Sequence, residues 1–270
     1  MNVLGIYREE IFSPGKVSDD KAIMDKALSE LNCMGISTKS VPADSVFKEK
    51  KVELVLNMAQ SEDLLSFLSI WEKEGSRIIN SPQAIRNCYR KKMVTLLKEN
   101  NIPMPKSWVY QLKTIEEELS EAYSYGWTGS YWIKRGDFHA LQKEDVVRVS
   151  SFEEMERALA YFRQKGVDEV VVQEHLKGDI IKFYGVGNEY IKAFLSLTGE
   201  PFDLSKSMID VILSAKTCLG LEIYGGDLVI SDKGEFFVLD INDWPSFSLC
   251  QDEAAEQIAK YVKSILEEDK

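Results

Sequence analysis

Residues 221–247 read LEIYGGDLVISDKGEFFVLDINDWPSF. Leu228-Val229-Ile230 and Phe236-Phe237-Val238-Leu239 are two apolar runs. Between them Ser231-Asp232-Lys233-Gly234 is turn chemistry, its glycine free to take positive φ. A two-residue loop at Lys233-Gly234 sets Asp232 opposite Glu235 and, counted outward, Asp227 opposite Asp240. Side chains two apart on a strand share a face, so Asn242 joins Asp240. Three oxygen-bearing side chains then converge, the donor type that magnesium takes. The same letters also fit an edge hairpin with solvated acids. Against that, acids at the end of a buried apolar strand seldom stand without a partner.

Working outward from the hairpin, strands at 180–187 and 189–197 form an antiparallel pair turning at Gly187-Asn188, and a helix spans about 205–219. A closing amphipathic helix starts at Asp252, with Ala255, Ile258, Ala259, Val262 and Ile265 on one face. At the other end of the chain, strands at 3–7, 52–58 and 77–80 alternate with two helices, the order of a parallel α/β unit. Ligands of such sheets lie at the carboxyl ends of strands, so Arg8, Ser13 and Lys16 either touch a substrate or are ordinary surface residues. Ser81 caps a helix that has Pro82 at its first position and the basic cluster Arg86, Arg90, Lys91 and Lys92. An extended linker, Ile102 to Pro105, follows. A small α/β lobe comes next: an acidic helix at 114–125, strands at 131–135 and 146–150, a helix capped by Ser151 with Glu154 in the capping-box position, and a buried strand at 169–176. The chain thus divides into an α/β domain at 1–82, a central lobe with its lead-in helix at 83–172, and a C-terminal lobe at 173–270.

Composition narrows the function. The chain has 270 residues, 44% of them hydrophobic, and a net charge of −11, which argues against non-specific nucleic-acid binding and against an anionic membrane surface. Cys33, Cys88, Cys218 and Cys250 form no C-x-x-C pair and read as free thiols of a reducing cytoplasm. No apolar run is long enough to span a bilayer, and the N-terminus lacks the basic region of a signal peptide. Walker, dinucleotide and nucleophile-elbow motifs are missing, and two histidines exclude a histidine-rich metal site. What remains is Lys134 in a strand, a connector Gln173-Glu174-His175-Leu176 that can offer backbone groups to an adenine edge, Lys92 as a second phosphate cation, and the three hairpin oxygens.

The order of these pieces resembles the ATP-grasp superfamily, most of all the ribosomal-protein glutamate ligase, glutathione synthetase and D-alanine–D-alanine ligase group. The matching pieces are Asn80-Ser81-Pro82, RKKMVTLLKENNIPMPKSWV at 90–109, YWIKRGD at 131–137, VVVQEHLKGD at 170–179, and GGDLVI with FVLDIND in the hairpin. The resemblance implies that Lys92 and Lys134 bind ATP phosphates. Gln173, Glu174, His175 and Leu176 would hold adenine, and Asp179 the ribose. Asp227, Asp240 and Asn242 would ligate magnesium, with manganese as an alternative. Lys182 stands where relatives have an arginine facing phosphate and acyl phosphate. Two departures stand out. The loop after Lys134, GDFHALQKED, has one glycine where relatives are glycine-rich, so His139 either contacts a phosphate or substrate or packs within the loop. Asp240 replaces a usual glutamate. The expected activity is ATP-dependent ligation of a small-molecule carboxylate to an amine through an acyl phosphate. The alternatives are a small-molecule kinase of the inositol-phosphate type and a nucleotide-binding module without chemistry. The resemblance allows a homodimer.

Overall fold

The computed structural model describes residues 2–115, 129–138 and 142–268, so the expected acidic helix from residue 116 onward and His139 lie outside the described residues. Among the described residues, three four-stranded sheets organise the chain. The first is parallel, with β1 (Asn2–Ile6), β2 (Ser37–Val41), β3 (Leu54–Asn57) and β4 (Arg77–Ile79) in the order β2-β1-β3-β4. Its central strands are buried on both faces and read as uninterrupted apolar runs, as parallel sheets require. On one face Leu4, Ile6 and Val55 pack with Leu64, Leu68 and Trp71 of α2 (Glu62–Lys73). On the other, Val3, Leu54 and Leu56 pack with α1 (Val17–Cys33). Strand β2 was not predicted. It is a polar edge strand, STKSV, with one buried residue, so it lacks the apolar alternation that marks a strand.

The second sheet, antiparallel, contains β5 (Ser107–Gln111), β6 (Tyr131–Arg135), β7 (Val146–Val149) and β8 (Glu169–Glu174) in the order β5-β8-β6-β7. Helix α5 (Phe152–Gln164) covers it through Met155, Leu159 and Phe162. The Ser151 hydroxyl accepts from the Glu154 N–H at 3.2 Å, and the Glu154 carboxylate accepts from the Ser150 N–H at 2.7 Å, which fixes the start of that helix.

The third sheet is also antiparallel: β9 (Gly178–Val186), β10 (Tyr190–Leu195), β11 (Ile223–Ser231) and β12 (Phe236–Asp243) in the order β10-β9-β11-β12. Helix α4 (Arg90–Glu99) and helix α6 (Lys206–Leu219) pack on it through Met93, Leu97, Ile212 and Leu219. Between α2 and α4, α3 (Pro82–Asn87) starts at Ser81, whose hydroxyl accepts from Ala84 N–H at 3.0 Å. The last helix, α7 (Gln251–Glu268), lays Ile258, Ala259 and Val262 against α1 in a core that also takes Tyr184 and Trp244 from the third sheet. The first domain and the C-terminal sheet are thereby one packed body. All four cysteines are free, and among the described residues no helix is long and apolar enough to cross a membrane.

Candidate active site

The hairpin places its acids as predicted, by a route the sequence did not show. Ser231 N–H donates to the Glu235 carbonyl at 2.7 Å, so the loop has three residues, closed by Gly234 at φ 80°. That shifts the register by one: Ile230 pairs Phe236 and Leu228 pairs Val238. A bulge between Asp227 and Leu228 on one strand, opposite Leu239 on the other, shifts it back, and Asp227 stands opposite Asp240. A longer loop and a bulge cancel.

Asp227, Leu239, Asp240 and Asn242 form one wall of a cleft of about 730 Å³. The facing wall comes from the second sheet. Lys134 is only 8% exposed, and its ammonium donates to the Gln173 amide oxygen at 2.7 Å. Burial, then the neighbouring Arg90, pushes this lysine down from 10.5 to about 8, against the pull of Asp240 and Asp227. Trp132, His175 and Leu176 also line the cleft. Trp132 Nε1 donates to His175 Nδ1 at 3.1 Å, so the proton of the neutral ring is on Nε2. Burial, together with Arg148 and Lys177, holds the His175 imidazole below its ordinary value and favours that neutral form. The connector then passes so close to the hairpin that a Cβ on Gly178 would collide with the Ile230 carbonyl, at a φ of 156°.

Beside Lys134 the cleft holds Arg90, which the sequence reading passed over for Lys92; Lys177 also lines it. Arg90 is buried and lines the cleft, with Nη2 at 3.7 Å from Asp240 Oδ2, while Lys92 is exposed and lines none of it. Helical periodicity could have identified it: Arg90, Met93, Val94 and Leu97 share the buried face at spacings of three, four and seven. A cation in a first turn opposes the helix dipole. Arg90 Nε, also buried, has no hydrogen-bond partner among the described residues. An unfilled guanidinium donor beside Lys134 fits a polyanion.

Lys182 lies across the strand pair from Asp227, with Nζ at 2.9 Å from Oδ1. Burial lowers the affinity of this amine for its proton, but the Asp227 charge and hydrogen bond outweigh it, and the net shift is upward. Lys182 lines a second cavity of about 320 Å³ that shares Asn242 with the cleft. Arg8, Ser13 and Lys16, placed at a strand mouth from sequence, also line this cavity. Glu174 is half-buried at the end of β8 and Asp179 is exposed on β9; neither lines either cavity.

Two facing carboxylates and an amide on the cleft wall are hard oxygen donors suited to a divalent cation such as magnesium. Among the described residues, no cluster of three His, Cys, Asp or Glu side chains offers a different metal site. The cleft is therefore lined by aromatic and apolar, cationic and acidic side chains, a set that suits a nucleoside triphosphate with a metal ion.

No family model matches the chain. Among curated proteins it is similar to N-acetylaspartylglutamate synthase A of Mus musculus, 26% identical over 226 residues that cover 77% of this chain and 59% of that protein. It is also similar to beta-citrylglutamate synthase B of Homo sapiens, 23% identical over 224 residues that cover 77% and 58%. The match thus spans under three-fifths of the length of these curated relatives. Among solved structures, the D-alanine-D-alanine ligase from Coxiella burnetii superposes with a TM-score of 0.72 at 12% identity, covering 100% of this chain and 97% of that one. D-cycloserine synthetase DcsG gives 0.73 at 16% identity, covering 98% and 99%. The ATP-grasp ligase PsnB, complexed with precursor peptide PsnA2 and AMPPNP, gives 0.68 at 18% identity, covering 100% and 97%. From its parallel first sheet to its C-terminal hairpin, the chain has the fold of the ATP-grasp ligases, as the order of its motifs implied.

Proposed function

We propose that the chain is an ADP-forming, ATP-dependent carboxylate–amine ligase acting on small molecules in the cytoplasm, where its free thiols stay reduced. The observation that carries this reading is the meeting of Lys134 and Arg90 with Asp227, Asp240 and Asn242 on the walls of one cleft, beside a second cavity sharing Asn242. In this reading residues 1–82 supply the substrate side, and the lobes at 83–172 and 173–270 clasp ATP.

Trp132, His175 and Leu176 hold the adenine end by apolar contact, with the connector backbone at its edge. Arg90 and Lys134 face the phosphates. Asp227, Asp240 and Asn242 hold Mg²⁺, for which Mn²⁺ is a chemical substitute; when bound, the ion draws charge from the phosphoryl oxygens. The substrate carboxylate, in the second cavity, attacks the γ-phosphorus, and the bond to the β-phosphate oxygen breaks to leave ADP. Lys182, held at the junction by Asp227, stabilises the negative charge that builds on the transferred group. The amine then attacks the acyl carbon, the bond to phosphate breaks, and the nitrogen loses a proton. Such chemistry needs no side-chain nucleophile. The names of the curated relatives, N-acetylaspartylglutamate and beta-citrylglutamate synthases, point to amide products of an amino acid and support a carboxylate and an amine as co-substrates.

The test is ADP release from ATP and Mg²⁺ with hydroxylamine as the amine and a panel of carboxylates. Hydroxamate formed in step with ADP is the expected result. ADP released with a polyol alone would make the protein a kinase, and nucleotide binding with no turnover on any acid would make it a binding module.

A further inference from the structure

The second cavity can be read for the class of acid it takes, an inference that rests on the ligase reading above. Its volume of about 320 Å³ is roughly ten water volumes, room for one acid of about ten to fifteen non-hydrogen atoms. The charged groups of its floor are largely paired from within. Arg8 Nη1 lies 3.2 Å from Asp20 Oδ2, and its Nη2 donates to the Asp243 and Trp244 carbonyls at 3.2 and 2.9 Å. Ser13 donates to the same Asp20 oxygen at 2.7 Å, and Gln60 to Asp243 Oδ2 at 2.7 Å. Lys182 is paired with Asp227. Among the described residues the cations on the lining are Arg8, Lys16 and Lys182; the acids Asp20 and Asp243 on the lining, with Asp227 beside it on Lys182, balance them. Among the described residues, the one cation left for a second carboxylate is Lys16, an exposed lysine whose charge water already solvates; beside it the lining offers the neutral Ser246.

The apolar part of the wall is three aromatic rings with Pro14 and Pro245. Phe12 from the first domain and Phe138 from the loop after Lys134 meet with ring centroids 5.7 Å apart, and Tyr184 closes the side toward Lys182. Phe138 is held in turn against Tyr89 at 5.0 Å. Both phenylalanines are half-buried and leave ring surface for a ligand.

We propose that this cavity selects a monocarboxylate bearing an aromatic or bulky apolar group. Its acid end lies at Asn242 and Lys182, next to the nucleotide cleft, and its apolar end packs against Phe12 and Phe138.

The experiment measures binding by calorimetry, and ADP release with hydroxylamine, for 3-phenylpropionate against glutarate and citrate. The expected result is binding of 3-phenylpropionate at least about tenfold tighter than of either polyacid. Phe138→Ala, and the milder Phe138→Leu and Phe12→Leu, raise KM for the aromatic acid while kcat moves less. Tighter binding of a polyacid, or an unchanged KM in both Phe138 variants, overturns the proposal. If the aromatic preference holds in binding but none of the three acids yields ADP, the ligase reading falls and the selectivity stands.

Discussion

Methionine at position 134 should separate stability from nucleotide binding. Lys134 is 8% exposed, and its proton is held less tightly than in water, with a fall from 10.5 to about 8. At about 1.4 kcal/mol per pH unit, the buried charge opposes folding by roughly 3 kcal/mol at neutral pH. Methionine fills a similar volume without charge but leaves the Gln173 amide oxygen without the donor it has at 2.7 Å, a loss of about 1–3 kcal/mol. The variant should therefore be as stable as the parent, or up to about 2 kcal/mol more stable, at pH 7. The sign of the pH dependence is fixed. Between about 8 and 10.5 the unfolded chain holds this proton and the native chain does not, so the parent gains stability as pH rises and the variant lacks that gain. Urea titrations of both proteins from pH 7 to 10.5 read the difference directly. Meanwhile Mg-ATP should bind the variant roughly 10- to 100-fold more weakly, the loss of one charge-assisted contact. A stability difference constant across that pH range would refute the buried-charge argument. Unchanged nucleotide affinity would refute the placement of Lys134 on the phosphates.

Arg90→Ala should weaken Mg-ATP binding about tenfold or more, whereas Lys92→Ala should leave it within about twofold, because only Arg90 reaches the cleft; equilibrium titration with a fluorescent nucleotide compares the two. Arg8→Ala leaves the buried Asp20 and Asp243 without their cation, so urea unfolding should show a loss of about 3–5 kcal/mol, partly restored in Arg8→Lys. Gly178→Ala should destabilise the start of β9 and weaken ATP binding together, since a Cβ there meets the Ile230 carbonyl; hydrogen exchange should show lost protection at 178–180 and 229–231. Asp240→Ala should abolish ADP formation with the fold intact by circular dichroism, since the residue is only half-buried at an edge strand; a fully active variant would remove it from the metal set.

Much of this was legible in the chain itself, because the signals are local. An uninterrupted apolar run marked β3, period-3.6 apolar patterns marked α1, α2 and α7, and hydroxyl caps marked the starts of α3 and α5. Asp227 and Asp240 stand opposite each other because a strand has no choice of face, and even the uncounted third loop residue was absorbed by the bulge. Tertiary structure decided the rest. Strand β2 is polar and is held by its neighbour β1, so its own residues carry little sign of it. The difference between Arg90 and Lys92 depends on which face of α4 the third sheet covers. The second cavity exists because segments from three parts of the chain, at Phe12, Phe138 and Tyr184, come to one place. Residue order sets what each segment can be, since backbone and side-chain periodicity act over a few residues. Burial of apolar surface is non-directional and acts between distant segments, and it alone decides which of them share a wall.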